Sequence, residues 1–444
     1  MKNVRNIIWV VIAITSAFWF AVEPQIITSN NVFEWRSAMI QYSGILSLML
    51  MSITMVLAMR LSFIENWFNG MDKAYRIHKW VGIGAVSLGI VHWMWYQIPK
   101  WLVMSGALAK PARHDGSGPA RTLSGWQTWA MELREFGQGI GEWGFYLLLI
   151  LVTVSLWAAV KYKPFKVSHR LMSVAYLFIA IHSVLLLKFS YWGEPIYYLT
   201  IAFAVAGSLA ASYSLLGLVG RRNRCSAVVK STRYFSQAKV MELVLKPNVS
   251  WLGHQAGQFV YLRFGKEDAH PFTIVSDSEN SELRFLIKEL GDFTNGLYER
   301  IKVGDELTVE GPYGRFEFDH SKPQIWVAGG VGVASFFAAL EALKGHEINH
   351  PRVNLFYSNR GIDEQLTGEL KSLAHQAGVS LYITDTLCSP RLNATQIVQQ
   401  CGDLSDYEIY FCGPEVFSKS LKQDLNAYRF DIDLRYHEEL FSMR

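Results

Sequence analysis

The chain has 444 residues, half of them apolar, with 15 tryptophans and a formal net charge of +4. That length excludes one ordinary domain; the net charge says little, because distribution matters more than total, and no nucleic-acid partner is expected. The four cysteines, Cys225, Cys388, Cys401 and Cys412, lack metal-type spacing, so they read as reduced thiols of a cytosolic domain and no disulfide framework is implied.

The apolar character concentrates before about residue 220. Residues 4–22 follow Lys2 and include Arg5; without a small-x-small cleavage site before Glu23-Pro24 they are expected to be an uncleaved first span. Further spans are expected at about 39–60, 77–97, 143–162, 169–188 and 196–219. Six spans put both termini on one side. Arg60, Lys73, Arg76 and Lys79 flank the second connection, Lys161, Lys163, Lys166 and Arg170 the fourth, and Arg221, Arg222 and Arg224 follow the last span. The first connection has only Arg36 and the fifth only Lys188, so the termini are expected in the cytoplasm of a multi-pass cell-membrane protein. The long outer connection, residues 98–142, holds a Gly/Pro stretch at 111–120 in which His114 reads as a solvated loop residue.

Four histidines lie inside two of these spans: His78 and His92 in one, His169 and His182 in the other. An ionisable residue in hydrocarbon is expensive and marks function by default. Spacings of 14 and 13 residues separate the rings by about 19–21 Å along the helix axes. Helices running the same way would then offer one facing pair near each membrane surface, with His78 and His169 cytoplasmic and His92 and His182 outside. Imidazole is a common axial haem ligand, and two facing imidazoles suit a b-type haem; no C-x-x-C-H is present for covalent attachment. Fourteen residues return to nearly the same helix face, whereas 13 miss it by roughly 140°. The fifth span therefore needs a π-bulge, a bend, or ligands on different sides.

From about residue 221, short alternating strands suggest a small antiparallel barrel. From about 322, strands alternate with helices, implying a parallel sheet with ligands at its carboxyl edge. His270-Pro271-Phe272-Thr273, with Ser276, ends a barrel strand, and Gly291-Asp292-Phe293-Thr294 is expected to open a helix whose amides favour a pyrophosphate. Phe272 and Thr273 would lie against a flavin ring. The turn containing Gly329, Gly330 and Gly332 would receive a nucleotide pyrophosphate. Ser358 and Arg360, after the next strand, are candidates for a 2′-phosphate, and Cys412-Gly413-Pro414 ends a strand where nicotinamide would approach.

With these motifs in this order, the C-terminal half resembles the ferredoxin–NADP reductase superfamily, and the chain from about residue 40 resembles the NADPH oxidase and ferric reductase transmembrane family. The paired histidines, HPFT, GDFT, GGVGV, CGP and the closing HEELF carry the likeness. It implies two b haems on the histidine pairs, FAD on HPFT and GDFT, NADPH on the glycine turn and CGP, and Phe441 stacked on the flavin where nicotinamide must lie. Cys412 and Phe441 are then the candidate catalytic residues. Two departures stand out: Ser442-Met443-Arg444 follow Phe441, and Ala256 replaces the proline usual before Gly257-Gln258. No Asp-rich calcium loop precedes the bundle.

The expected architecture is multi-domain: a six-helix transmembrane bundle (1–220), an antiparallel β-barrel flavin domain (221–320) and an α/β nucleotide domain (321–444). NADPH gives two electrons and haem takes one, so a flavin belongs between them. The expected activity is transfer from cytosolic NADPH through FAD and two haems to external oxygen, yielding superoxide. A ferric-chelate reductase with the same path, and a membrane subunit supplying electrons to an extracytoplasmic protein, are the alternatives.

Overall fold

The computed structural model describes residues 2–68, 70–109, 125–157, 160, 162–265, 267–319, 321–344 and 351–439. Phe441 and His114 therefore lie outside the described residues. The chain packs as two compact units, residues 1–68 with 73–219, and residues 69–72 with 220–443.

Unit one is helical. Its long helices are α1 (Lys2–Val22), α2 (Val32–Leu57), α3 (Met71–Met104), α4 (Arg134–Leu156), α5 (Tyr162–Leu186) and α6 (Pro195–Leu215). Among the described residues, five are long and apolar enough to cross a membrane, α2 to α6; the apolar stretch of α1, Ile8–Val22, is shorter. α2 is the axis of the packing. Leu48, Leu50 and Met51 bury against Val81 and Ala85 of α3, Leu148 and Leu151 of α4, and Ala175 and Tyr176 of α5. Small residues allow that approach, as is usual where lipid gives helices no hydrophobic drive to associate. Several polar groups here find partners: Ser52 and Tyr176 share a hydrogen bond of 2.8 Å, and Glu23 binds Lys188 at 2.5 Å.

Unit two begins with a curled antiparallel sheet in the order β4-β3-β6-β1-β2-β5. Its strands are β1 (Arg224–Phe235), β2 (Val240–Pro247), β3 (Phe259–Phe264), β4 (His270–Thr273), β5 (Leu283–Lys288) and β6 (Glu306–Tyr313). A single isolated bridge, Ile274 to Phe285, joins the run after β4 to β5. Alternate residues such as Ala227, Val229, Leu243 and Leu245 fill the interior, as the period of two requires. A parallel sheet follows, ordered β11-β10-β7-β8-β9. It comprises β7 (Gln324–Gly329), β8 (Val353–Asn359), β9 (Ser380–Asp385), β10 (Glu408–Cys412) and β11 (Tyr436–Glu439). Helices α7 (Val333–Leu343), α8 (Glu364–Gln376), α9 (Ala394–Cys401) and α10 (Glu415–Asn426) connect its strands. The inner strands β7, β8 and β10 are buried on both faces, so they read as largely continuous apolar runs.

The two sheets share a core in which Phe235, Val240 and Leu286 meet Phe336, Phe337 and Leu340. A charged network crosses the same seam. Arg284 of β5 binds Glu242 of β2 and, at 2.6 Å, Glu369 of α8, while Arg233 of β1 binds the same two carboxylates. Four charges sharing partners offset the desolvation that a lone buried pair would suffer.

Candidate functional site

The structure brings the four membrane histidines together as two pairs. The rings of His78 and His169 have centroids 5.8 Å apart, and those of His92 and His182 are 6.1 Å apart. Three of the rings have one nitrogen fixed by a backbone carbonyl. His78 Nδ1 donates to Thr54 at 3.0 Å, His92 Nδ1 to Ile40 at 2.9 Å and His182 Nδ1 to Gly137 at 2.9 Å. With its proton on Nδ1, each of these rings offers a free lone pair on Nε2. The 13-residue spacing needs no π-bulge: α5 is α-helical throughout. A bend redirects an axis without turning a side chain through about 140°, so His169 and His182 leave different sides of α5.

Glycines make room for the rings. A Cβ on Gly141 of α4 would lie 1.9 Å from His182 Nδ1, and one on Gly44 of α2 would lie 3.0 Å from His92 Nδ1. The ring separations suit two imidazoles on one metal, since a metal–nitrogen bond of about 2 Å on each side plus the ring radius gives about 6 Å. No cluster of three or more His, Cys, Asp or Glu side chains suited to a metal occurs among the described residues. Two protein ligands per site match the two axial positions of an iron carried in a porphyrin.

In unit two, His270 and Thr273 bound β4, with Pro271 and Phe272 half-buried between them. His270 stacks on Phe293 at 3.8 Å between centroids, so HPFT and GDFT meet directly. Ser276 is buried; its carbonyl accepts from His254 Nε2 at 2.9 Å and its hydroxyl from the Arg284 amide at 3.2 Å. GDFT does not open a helix. It forms a turn in which Thr294 Oγ1 accepts from the amides of Leu290 (2.9 Å) and Gly291 (3.3 Å), and the single-turn helix Leu297–Arg300 begins only after it. The threonine hydroxyl captures those amides locally, which a helix start would have left free. Gly291 and Asp292 remain exposed at the turn.

Gly329, Ser358 and Cys412 all stand at the carboxyl edge of adjoining parallel strands, Gly329 opposite Ser358 and Ala328 opposite Cys412. Gly332 lies so close to the next loop that a Cβ would sit 2.2 Å from the Cys412 carbonyl, and Gly329 and Gly413 touch through their backbones, with Pro414 alongside. Gly330 is left-handed at φ 59°. Cys412 is fully buried; Ser335 Oγ lies 3.5 Å from its Sγ and donates to Glu439 at 3.3 Å. Burial, then the Glu439 carboxylate, push the Cys412 thiol well above its ordinary range, so it is a neutral thiol rather than a nucleophile. Ser358 is buried, whereas Arg360 two residues later is exposed and makes no hydrogen bond or ion pair among the described residues.

Three residues went unread in the sequence. Lys288 ends β5, binds Asn359 at 3.2 Å and points to Gly330, lining a narrow cleft with Val331 and Tyr357. Burial draws its ammonium below the ordinary range, a strain that a bound phosphate would relieve. Its signal was a lone lysine three residues before Gly291. Ser335 and Glu439 complete the surroundings of Cys412; Glu439 stood within HEELF but only its aromatic neighbour was singled out.

Residues 43–180 match the family described as ferric reductase like transmembrane component, and residues 226–317 match the FAD-binding domain family. The 2-halobenzoate 1,2-dioxygenase electron transfer component of Burkholderia cepacia is 30% identical over 39% of this chain and 55% of its own length. Dual oxidase 2 of Rattus norvegicus is 24% identical over 67% of this chain and 20% of its own length. The chain thus spans about half of the first relative and a fifth of the second. Among solved structures, a flavohemoglobin from Malassezia yamatoensis with bound FAD and heme is 17% identical, covers 89% of this chain and 95% of its own, and superposes with a TM-score of 0.49.

Proposed function

We propose that this chain, a member of the NADPH oxidase and ferric reductase transmembrane family, carries electrons from cytosolic NADPH through FAD and two b haems to oxygen outside the cell membrane, releasing superoxide. The observation that carries this reading is the pair of facing imidazoles at two levels of the same two helices, α3 and α5. Bound FAD supplies the change from two-electron to one-electron transfer, and bound haem supplies one-electron carriers at two depths. The protein's own work is positional. Thr54, Ile40 and Gly137 hold three rings in the tautomer that ligates through Nε2. HPFT and the GDFT turn cradle the flavin. The Gly330 turn, Lys288 and the Cys412-Gly413-Pro414 loop receive the nucleotide, with Cys412 and Glu439 beside the nicotinamide. The division into 1–220, 221–320 and 321–444 follows these three tasks, and the basic connections favour cytoplasmic termini.

Purified chain in liposomes, supplied with NADPH, tests this. Dye reduction abolished by superoxide dismutase is the expected result. Dismutase-insensitive reduction of ferric citrate would make the chain a ferric-chelate reductase, and flavin and haem reduction without delivery to either acceptor would point to a protein partner. A reduced-minus-oxidised spectrum lacking b-haem bands would overturn all three.

Arg360 gives a separate test of nucleotide choice. A guanidinium contact to a 2′-phosphate is worth about 1.5–3 kcal/mol, or about 10- to 150-fold. Arg360→Ala should raise KM for NADPH by that factor and leave KM for NADH unchanged. Equal changes for both nucleotides would remove Arg360 from phosphate recognition.

A further inference from the structure

The four membrane histidines are not equivalent. His78, His92 and His182 each donate Nδ1–H to a backbone carbonyl, but His169 Nδ1 is buried with no hydrogen-bond partner among the described residues. Phe165, one turn earlier on α5, lies against the imidazole with centroids 5.2 Å apart and planes at 24°. A phenyl ring supplies no oxygen acceptor, and its face-to-face stacking holds the imidazole in place. Ser168 Oγ, next along the chain, donates to the Phe165 carbonyl at 2.9 Å.

A carbonyl accepting from Nδ1–H pushes electron density toward Nε2 and makes the imidazole a stronger donor to iron. Stronger donation favours the ferric state, and second-shell hydrogen bonding is one of the protein's levers on haem potential. The His92–His182 pair has two such carbonyls and the His78–His169 pair has one.

We infer that the His78–His169 site holds its iron at the higher midpoint potential, so that the first electron to enter the helical unit settles there, and that Phe165 is the positioning residue that sets this difference. The inference rests on the reading that each pair holds a haem. The step is one electron, ferric to ferrous, with no bond made and no proton moved. Transfer onward to the His92–His182 site is then uphill and proceeds as the acceptor removes electrons.

The test is a spectroelectrochemical measurement on the purified full chain, following haem absorbance as potential is lowered. Two waves are expected. In His182→Leu the surviving haem, at His78–His169, should match the upper wave; in His169→Leu the survivor should match the lower. Phe165→Ser, which places a hydroxyl and space for water beside the His169 ring, should lower the upper wave alone. A tenfold change in how the electron divides between the sites is about 59 mV for one electron. A survivor in His182→Leu that matches the lower wave overturns the inference. So does a single wave from protein containing two haems, or a Phe165→Ser shift confined to the lower wave. Protein with fewer than two haems would instead overturn the reading beneath it. Should the histidine variants lose all haem, Phe165→Ser decides alone.

Discussion

Gly141→Ala should remove one of the two haems and leave reduction of the flavin by NADPH intact. The added methyl would lie 1.9 Å from His182 Nδ1, 2.3 Å from Cγ and 2.6 Å from Cε1. Close-packed interiors leave no room for such overlap, so the ring must move by more than an ångström or α4 and α5 must part. Either displacement breaks the 2.9 Å bond from His182 to Gly137, one turn away on the same helix as the new methyl. The ring then no longer faces His92. Roughly half of the haem should be lost, and delivery across the membrane should fall about 100-fold or more, since misplacement near 1 Å suffices for that. Gly44→Ala is the graded control. Its methyl would meet His92 Nδ1 at 3.0 Å, a contact that small shifts relieve, so both haems should remain. Haem-to-protein ratio and the stopped-flow rate of flavin reduction are the measurements. A Gly141→Ala protein with two haems and normal transfer would mean that His182 is not a ligand.

The pairing of the histidines was legible because helical rise alone puts 13- and 14-residue spacings at matching depths. Their carbonyl partners were not. Thr54, Ile40 and Gly137 act through the backbone, which every residue possesses, and only the fold decides which carbonyl faces a ring. The spans show a related limit. α4 starts at Arg134, well before the expected 143, because Glu135, Gln138 and Glu142 dilute the hydropathy without breaking the helix. α3 likewise runs from Met71 to Met104 where 77–97 was expected. Hydropathy measures the apolar length, and a helix continues into the polar headgroup region. In unit two, alternation located the strands, yet whether their sheet curls or closes depends on twist and register. GDFT misled because a threonine following glycine and aspartate serves a helix cap and a tight turn equally well. Ser358 is buried within a strand covered on both faces, which its sequence position alone did not show.

The nucleotide half yields an equally large expected effect at Gly332. A methyl there would stand 2.2 Å from the Cys412 carbonyl oxygen, 2.5 Å from its carbon and 3.0 Å from the Gly413 amide. These are backbone atoms at the end of β10, and they cannot swing aside as the tip of a side chain can. Gly332→Ala should therefore push the glycine turn away from the Cys412-Gly413-Pro414 loop and disturb Ser335, three residues on, which lies 3.5 Å from Cys412 Sγ. NADPH-driven flavin reduction should fall about 100-fold or more, while dithionite still reduces flavin and haem. Gly330→Ala, in the same turn, separates collision from strain. Its φ is 59° and the nearest atoms to an added methyl are 3.8 Å away, so no overlap arises. The left-handed backbone alone costs an alanine about 1–2 kcal/mol, which corresponds to roughly 5- to 30-fold if it fell wholly on nucleotide binding. The order of the two effects is the decisive feature. If Gly332→Ala kept normal NADPH affinity while Gly330→Ala lost it, the nucleotide would be bound by the turn's backbone conformation rather than by its apposition to the Cys412 loop.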